Sequence, residues 1–224
     1  MNEEYSEFHI KEFKSSSITV IEGSFDSTLK ILFRLSVDSI IVLDKDTLFI
    51  DCWNTFNPYD VLNTLKSYNI KSNIEQRKIL SRIHIVRAFT DYQLDTLIKG
   101  LNVAIKEWSP SILIISYLPN LFYNEKNKEK LFDSSIKHLK SVTVSYDIIT
   151  VVTSFGNYYE DKLLSSKADR VINIEETKSR KRKGMKIKSK NVVRIIDDGN
   201  ITEHVSVPSG QTRFSQFNFS QFIR

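Results

Sequence analysis

Two short runs, residues 112–115 (Ile-Leu-Ile-Ile) and 148–153 (Ile-Ile-Thr-Val-Val-Thr), constrain this chain more than any other feature. Each is unbroken by charge and rich in β-branched residues. A strand with one wet face alternates apolar and polar residues, whereas a strand covered on both faces does not have to. Both runs therefore read as central strands of a parallel sheet. The segments around them fit that reading. Residues 91–107 read as a long helix, with Leu94, Leu97, Ile98, Leu101, Val103 and Ile105 apolar behind Asp91. Residues 125–141 are charged and helical. Strands alternating with helices of this length build a sheet from βαβ units. The hydrophobic fraction of 41% in 224 residues supplies the core that such a sheet needs.

The remaining elements follow the same alternation. Residues 18–22 read as a strand, and 27–37 as a helix with Leu29, Leu32, Phe33 and Val37 on its inner face. Residues 40–43 and 48–50 read as strands split by the turn Asp44-Lys45-Asp46. Asn57-Pro58 opens a helix with proline at its first position, and 72–80 forms a second. Residues 83–86 read as a strand. After 153 the pattern changes: 171–175, 191–196 and 203–207 read as sequential strands joined by short turns, an antiparallel extension of the sheet. The expected organisation is a polar lead-in over 1–17, with an edge strand near 8–13, a domain over 18–207, and a phenylalanine-rich tail over 208–224.

Charge is concentrated in one place. Lys178, Arg180, Lys181, Arg182, Lys183, Lys186, Lys188 and Lys190 lie in thirteen residues without an acid, in what reads as the first of the C-terminal turns. These eight charges exceed the chain's net +5, so the rest is net acidic. A local cationic patch on an acidic body suits a polyanionic partner, and nucleic acid is the expected one. Lys126, Lys128 and Lys130, beside Phe122 and Tyr123, would extend that surface. The run itself has no aromatic residue to stack on bases. No stretch approaches the ~18 apolar residues of a membrane span, so no membrane partner is expected. Cys52 is the only cysteine and reads as an inert buried thiol. With four scattered histidines, this argues against structural zinc, and a cytoplasmic location is the expectation. His84 reads as structural, and Asp44, Asp46 and Asp51 as turn and strand-end carboxylates rather than metal ligands.

The order of several segments is similar to a known family. Ile18-Thr-Val-Ile-Glu-Gly23 has the layout of a strand entering a phosphate-binding loop. Leu48-Phe-Ile-Asp-Cys-Trp-Asn-Thr-Phe-Asn-Pro58 resembles "Ile-Asp-Thr-Glu-Gly-Thr-Phe-Arg-Pro", and Ile83-His-Ile-Val-Arg-Ala-Phe89 resembles "Val-Ala-Arg-Ala-Phe". Leu113-Ile-Ile-Ser-Tyr-Leu118 stands where "Ile-Val-Asp-Ser-Leu" is found, residues 149–153 match a strand ending "Val-Val-Thr-Asn-Gln", and Ala168-Asp-Arg-Val171 matches the start of the C-terminal strands. Together these resemble the core ATPase domain of the RecA/RadA recombinases, in particular the archaeal RadA paralogues, over roughly 190 residues. The resemblance implies a RecA-like three-layer α/β fold: a mostly parallel central sheet with helices on both faces.

It also implies an ATPase centre whose working groups are replaced. Gly23 opens the loop, but Thr28 stands for the second glycine, Leu29 for the lysine and Lys30 for the metal-binding hydroxyl. Trp53 stands for the water-polarising glutamate, Ser116 for the Walker B aspartate, and Ser154-Phe155 for the Asn-Gln sensor pair. Phosphoryl transfer needs those groups together. The expectation is a pseudo-ATPase without a cofactor, backbone amides leaving only weak nucleotide binding open, and with Trp53 packed over the site. The implied role is a non-catalytic accessory factor in DNA recombination and repair, nucleoid-associated, binding DNA (single-stranded favoured) and a recombinase or other repair protein. Two alternatives stay open: a pseudo-ATPase scaffold or regulatory subunit of a heteromeric assembly without direct DNA binding, and a divergent ATPase with Lys30 in the lysine role through a one-residue shift.

The tail offers a partner-binding pattern. Gln211-x-x-Phe214-x-x-Phe217 and Gln216-x-x-Phe219-x-x-Phe222-Ile223 approximate the sliding-clamp motif, with phenylalanine for the aliphatic residue. Docking on a clamp, docking on a partner subunit and packing on the chain's own core all remain open for Gln211, Phe214, Phe217, Phe219 and Phe222.

Overall fold

The computed structural model describes residues 8–123, 128–183, 186–197 and 199–206, with the backbone alone for 176–193 and 202–206. Among these residues eight strands form one sheet in the order β3-β2-β4-β5-β1-β6-β7-β8. They are β1 (Ser17–Gly23), β2 (Thr47–Asp51), β3 (Ile83–Arg87), β4 (Ile112–Ser116), β5 (Ile149–Ser154), β6 (Arg170–Lys183), β7 (Lys186–Asp197) and β8 (Asn200–Ser206). Every pairing from β3 to β6 is parallel, and β7 and β8 are antiparallel. The α/β class and the mostly parallel sheet thus follow the expectation. One boundary shifts: β6, read as the start of the antiparallel section, pairs in parallel with β1 and closes the parallel section instead.

Among the described residues six helices accompany the sheet: α1 (Phe25–Leu43), α2 (Pro58–Ser67), α3 (Asn73–Leu80), α4 (Asp91–Trp108), α5 (Glu129–Ser145) and α6 (Tyr159–Lys167). The two unbroken apolar runs, 112–115 and 148–153, are β4 and β5, adjacent at the centre. Their side chains divide by parity, as a pleat requires. Ile112 and Ile114 join Ile31, Leu35, Val61 and Leu65 of α1 and α2 on one face. Leu113 and Ile115 join Leu94, Ile98, Ile136 and Leu139 of α4 and α5 on the other. Both faces are covered, so every residue of β4 is buried.

Three local readings are corrected. Residues 40–43 do not form a strand but complete α1, which ends at Asp44 in a left-handed conformation (φ 51°) with its N–H on the Ser39 carbonyl. Residues 8–13 form a 3-10 turn (Ile10–Glu12) rather than an edge strand. Phe8, Ile10 and Phe13 are buried against α1 and β6, so this part of the lead-in belongs to the core. Asp38, buried in α1, anchors it by accepting the Ile10 N–H at 3.2 Å and the Tyr68 hydroxyl, with His9 Nδ1 at 3.2 Å. Helix α6, which carries no strong apolar stripe, is fixed by the buried Asp161, which accepts the N–H groups of Asn157 and Tyr158 at 2.9 and 3.0 Å.

Candidate functional site

In a parallel sheet the loops that follow the strands gather along the carboxyl edge, where α/β proteins bind their ligands. Here that edge collects Gly23, Asp51, Ser116 and Ser154, the ends of β1, β2, β4 and β5. The register sets Asp51 beside Ser116 and Glu22 beside Ser154. The positions aligned with an ATPase centre, Gly23, Trp53, Ser116 and Ser154, therefore belong to one edge.

The segment after β1 is not a wrapping loop. Ser24 alone separates Gly23 from the first helical residue, Phe25, and the Thr28 N–H already bonds the Ser24 carbonyl at 3.1 Å. The helix begins two residues earlier than expected, so Thr28, Leu29 and Lys30 lie past its first residues. Thr28 and Leu29 are buried and Lys30 is exposed. Gly23 has a packing reason to be glycine. A Cβ there would sit 3.0 Å from both the Cβ and the carbonyl oxygen of Ile174 on β6. Few real Cβ contacts are that short, so a side chain there would require Ile174 to give by a few tenths of an ångström.

Over the start of α1 lies Tyr117, the residue after β4. Its backbone is left-handed (φ 50°, ψ 43°), which is uncommon for a bulky residue. Its N–H bonds Thr153 Oγ1 at 2.9 Å. The side chain is buried between Phe25 (centroids 5.6 Å apart, 17° between planes) and Phe155 (4.6 Å), and its hydroxyl meets Thr28 Oγ1. Burial pushes the phenol up to about 12; the Thr28 bond opposes this and the Asp26 charge adds to it. Tyr117 is therefore a neutral plug of one aromatic stack. Beside it, Ser154 is fully buried, with no hydrogen-bond partner for its hydroxyl.

Asp51 organises the neighbouring turn. Its Oδ1 accepts from Thr55 N (2.8 Å), Thr55 Oγ1 (2.9 Å), Ser116 Oγ (3.1 Å) and Trp53 N (3.3 Å). Its Oδ2 accepts from Phe56 N (3.0 Å) and Arg87 Nε (3.4 Å). Burial pushes this carboxyl up, but the donors from Thr55, Phe56 and Ser116 outweigh it and hold Asp51 below the usual range. The donor set consumes both oxygens, so the carboxylate is a knot that closes the turn through Asn54, itself left-handed at φ 52°. Ser116, aligned with a metal-binding aspartate, is a member of this knot. Cys52 is buried, and desolvation with the Asp51 charge raises its thiol far above the reactive range, as expected for an inert thiol. Trp53 departs from the expectation. It is 49% exposed rather than packed over the site.

Other sequence candidates fall elsewhere. His84 bonds Asp46 (2.7 Å) and stacks on Trp108 (4.2 Å), at the amino end of β2. Arg82 closes the same cluster with Asp44 and Asp46, both at 2.7 Å. Around 122–130, Phe122 packs on Phe132, Tyr123 donates to Asp161 (2.8 Å), and Lys128 Nζ lies 3.2 Å from Asp91. These contacts are internal; of the lysines of that stretch Lys130 is exposed and Lys128 half-buried, and Lys126 lies outside the described residues. No group of three or more His, Cys, Asp or Glu able to hold a metal occurs among the described residues, nor a helix long and apolar enough to cross a membrane.

The basic run is not a turn. Its residues extend two paired strands, with Lys178 opposite Asn191, Arg180 opposite Ser189, Lys181 opposite Lys188, Arg182 opposite Ile187 and Lys183 opposite Lys186; Lys190 pairs Ser179. The last residue of β6 alongside β1 is Ile174, level with Gly23. Residues 175–183 therefore run on past the carboxyl edge, by about 30 Å at the rise of a strand. Facing like charges destabilise a ladder, which makes this ribbon costly in isolation. Gln211, Phe214, Phe217, Phe219 and Phe222 lie outside the described residues.

Sequence reasoning missed the exposed aromatic residues of this edge, Phe89 (66%) and Tyr92 (68%), and the Phe25–Tyr117–Phe155 stack. The available signal was position: each follows a strand end by a few residues. No protein-family model matches the chain.

Proposed function

We propose that this chain is a non-catalytic, RecA-like accessory factor in DNA recombination and repair, a recombinase paralogue that binds DNA through its β6–β7 ribbon. One observation carries the reading. Eight cations, in a run of thirteen residues without an acid, lie on a two-stranded ribbon that runs out from the carboxyl edge of a net acidic body. Phosphate neutralisation releases counterions and provides affinity without sequence reading. The lack of catalysis is supported by the one-residue turn after Gly23, by Leu29 in the core and by Ser116 engaged with Asp51. The Phe25–Tyr117–Phe155 stack, seated over the start of α1, supports the absence of a nucleotide cofactor. A recombinase or other repair protein is the partner of this reading, with the tail as a clamp-docking segment.

An electrophoretic shift titration at two salt concentrations tests it. Replacing Lys181, Arg182, Lys183 and Lys186 by alanine removes four cations. The expected result is weaker binding and a log–log salt slope on a single strand shallower by about 3, at ~0.7 per phosphate contact. Equal, salt-insensitive behaviour of both proteins would sink the DNA role and leave the scaffold reading.

A further inference from the structure

We infer that the carboxyl edge of β2 and β3 is a stacking platform for unpaired bases, so that the preferred ligand is single-stranded rather than duplex nucleic acid. This rests on the ribbon reading above and adds a second, chemically different contact to it.

The argument starts from register. Asp51 pairs with Arg87, and the Ala88 N–H bonds the Asp51 carbonyl at 3.1 Å. Trp53 and Phe89 are each two residues further on, so the turns that follow two adjacent strands both end in an exposed ring. Trp53 is 49% exposed and Phe89 66%. Tyr92 adds a third ring, 68% exposed, from the first turn of α4. Soluble surfaces scatter single apolar residues, whereas three large exposed rings on the turns after two adjacent strands offer a surface for an occupant.

The turns that carry these rings are rigid. The Trp53 N–H is tied to the Asp51 carboxylate, and the left-handed Asn54 fixes the next bend. The Phe89 N–H is tied to Gln93 Oε1 at 2.8 Å, and Thr90 caps α4 through the Gln93 N–H. Arg87, at the end of β3 with its side chain 44% exposed, is held on Asp51. Pre-ordered turns lower the ordering cost of binding.

The occupant follows from charge. The turns that carry the rings are not basic: residues 51–60 and 87–93 hold one cation, Arg87, which is paired with Asp51, against the carboxylates of Asp51, Asp60 and Asp91. A duplex, whose outside is phosphate, gains nothing there. A flexible single strand gains stacking on the rings while its backbone runs to the cations of the ribbon. That ribbon leaves the same carboxyl edge, four strands from β2, a separation of about 19 Å at the spacing of paired strands. Aromatic platforms beside a cationic groove are the general means of holding single strands without reading sequence.

The test uses the full chain, a fluorescein-labelled oligothymidylate and a blunt duplex of equal length, read by anisotropy and by tryptophan emission. Wild type is expected to bind the single strand more tightly than the duplex, with quenching of Trp53. Trp53→Leu and Phe89→Leu are each expected to lose about tenfold in single-strand affinity, with duplex affinity and salt slope unchanged. Trp53→Phe should retain most of the binding. Both side chains are exposed, so melting curves should match wild type and separate a binding loss from unfolding. Trp108, stacked on His84 at the opposite edge, supplies the constant background seen in Trp53→Phe. Leucine variants that bind the single strand like wild type, or lose single strand and duplex alike, overturn the platform while the salt dependence still supports the ribbon. Unperturbed Trp53 emission does the same and returns the patch to a protein partner. A wild type that binds neither ligand overturns both readings.

Discussion

The Asp51 knot sets a quantitative expectation. In Asp51→Asn the amide oxygen can keep the Thr55 and Trp53 N–H groups, but the amide nitrogen then faces Phe56 N–H and Arg87 Nε, 3.0 and 3.4 Å from the present Oδ2. Two acceptor contacts become donor–donor contacts in a site that is 1% exposed. Hydrogen bonds to a charged group contribute ~1.5–3 kcal/mol each, and a stranded buried donor costs ~1–3 kcal/mol. Part of the turn can relax, so a loss of about 3 kcal/mol is expected. With a urea slope near ~2–3 kcal/mol/M for a chain of this size, the unfolding midpoint should fall by about 1–1.5 M. The pH dependence follows from the lowered carboxyl. A carboxylate depressed in the folded state contributes stability that is fully present above its unfolded value of ~3.9 and is lost as pH falls through the folded value. Asparagine has no such term, so the gap between wild type and variant should be widest near neutrality and narrow below about pH 4. Urea melts at pH 7 and pH 3 measure both. A gap under ~0.5 kcal/mol at pH 7, or one that does not narrow with acid, would refute the reasoning.

Substitutions at two further positions probe the same edge. Gly23→Ala should lose ~1–3 kcal/mol, because its methyl would lie 3.0 Å from the Ile174 carbonyl; an unchanged melting temperature would show that the strands yield freely. Tyr117→Phe should cost only ~1 kcal/mol, since Thr28 Oγ1 keeps the Ser24 and Phe25 carbonyls within 3.0 and 3.2 Å, whereas Tyr117→Ala should cost ~3–5 kcal/mol by emptying the stack. Equal melting temperatures for the two would show that the ring contributes nothing.

Periodicity carried the sheet and failed where distant partners decide. Residues 112–115 and 148–153 lie within a residue of β4 and β5, because a continuous apolar run with covered faces leaves few alternatives. Residues 40–43 misled because four apolar residues fit a strand or a buried helix end equally. Their state is set by Ser39, whose hydroxyl lies 3.0 Å from the Lys45 and Asp46 carbonyls and 2.7 Å from Ser111 Oγ, a partner 72 positions away. Helix α6 was silent for a similar reason: its start depends on Asp161 meeting Tyr123 across a separation of 38 residues. At the site, the aligned positions met on one edge, since strand ends of a parallel sheet must do so. The exposure of Trp53 was not legible, because an aromatic residue two places past a strand can turn inward or outward, and here the Asp51 donors decide.

Strand β6 is one continuous backbone from Arg170, beside β1, to Lys183, near the ribbon tip. The ribbon is therefore a lever and not a tether. Its outer arm is about 30 Å, against a strand spacing of about 4.8 Å at the point where it is held, a mechanical ratio near six. Gly23, which admits the close approach of Ile174, is the fulcrum. A load taken up at the tip arrives there as torque on β1, two residues from the start of α1 and from the ring of Phe25.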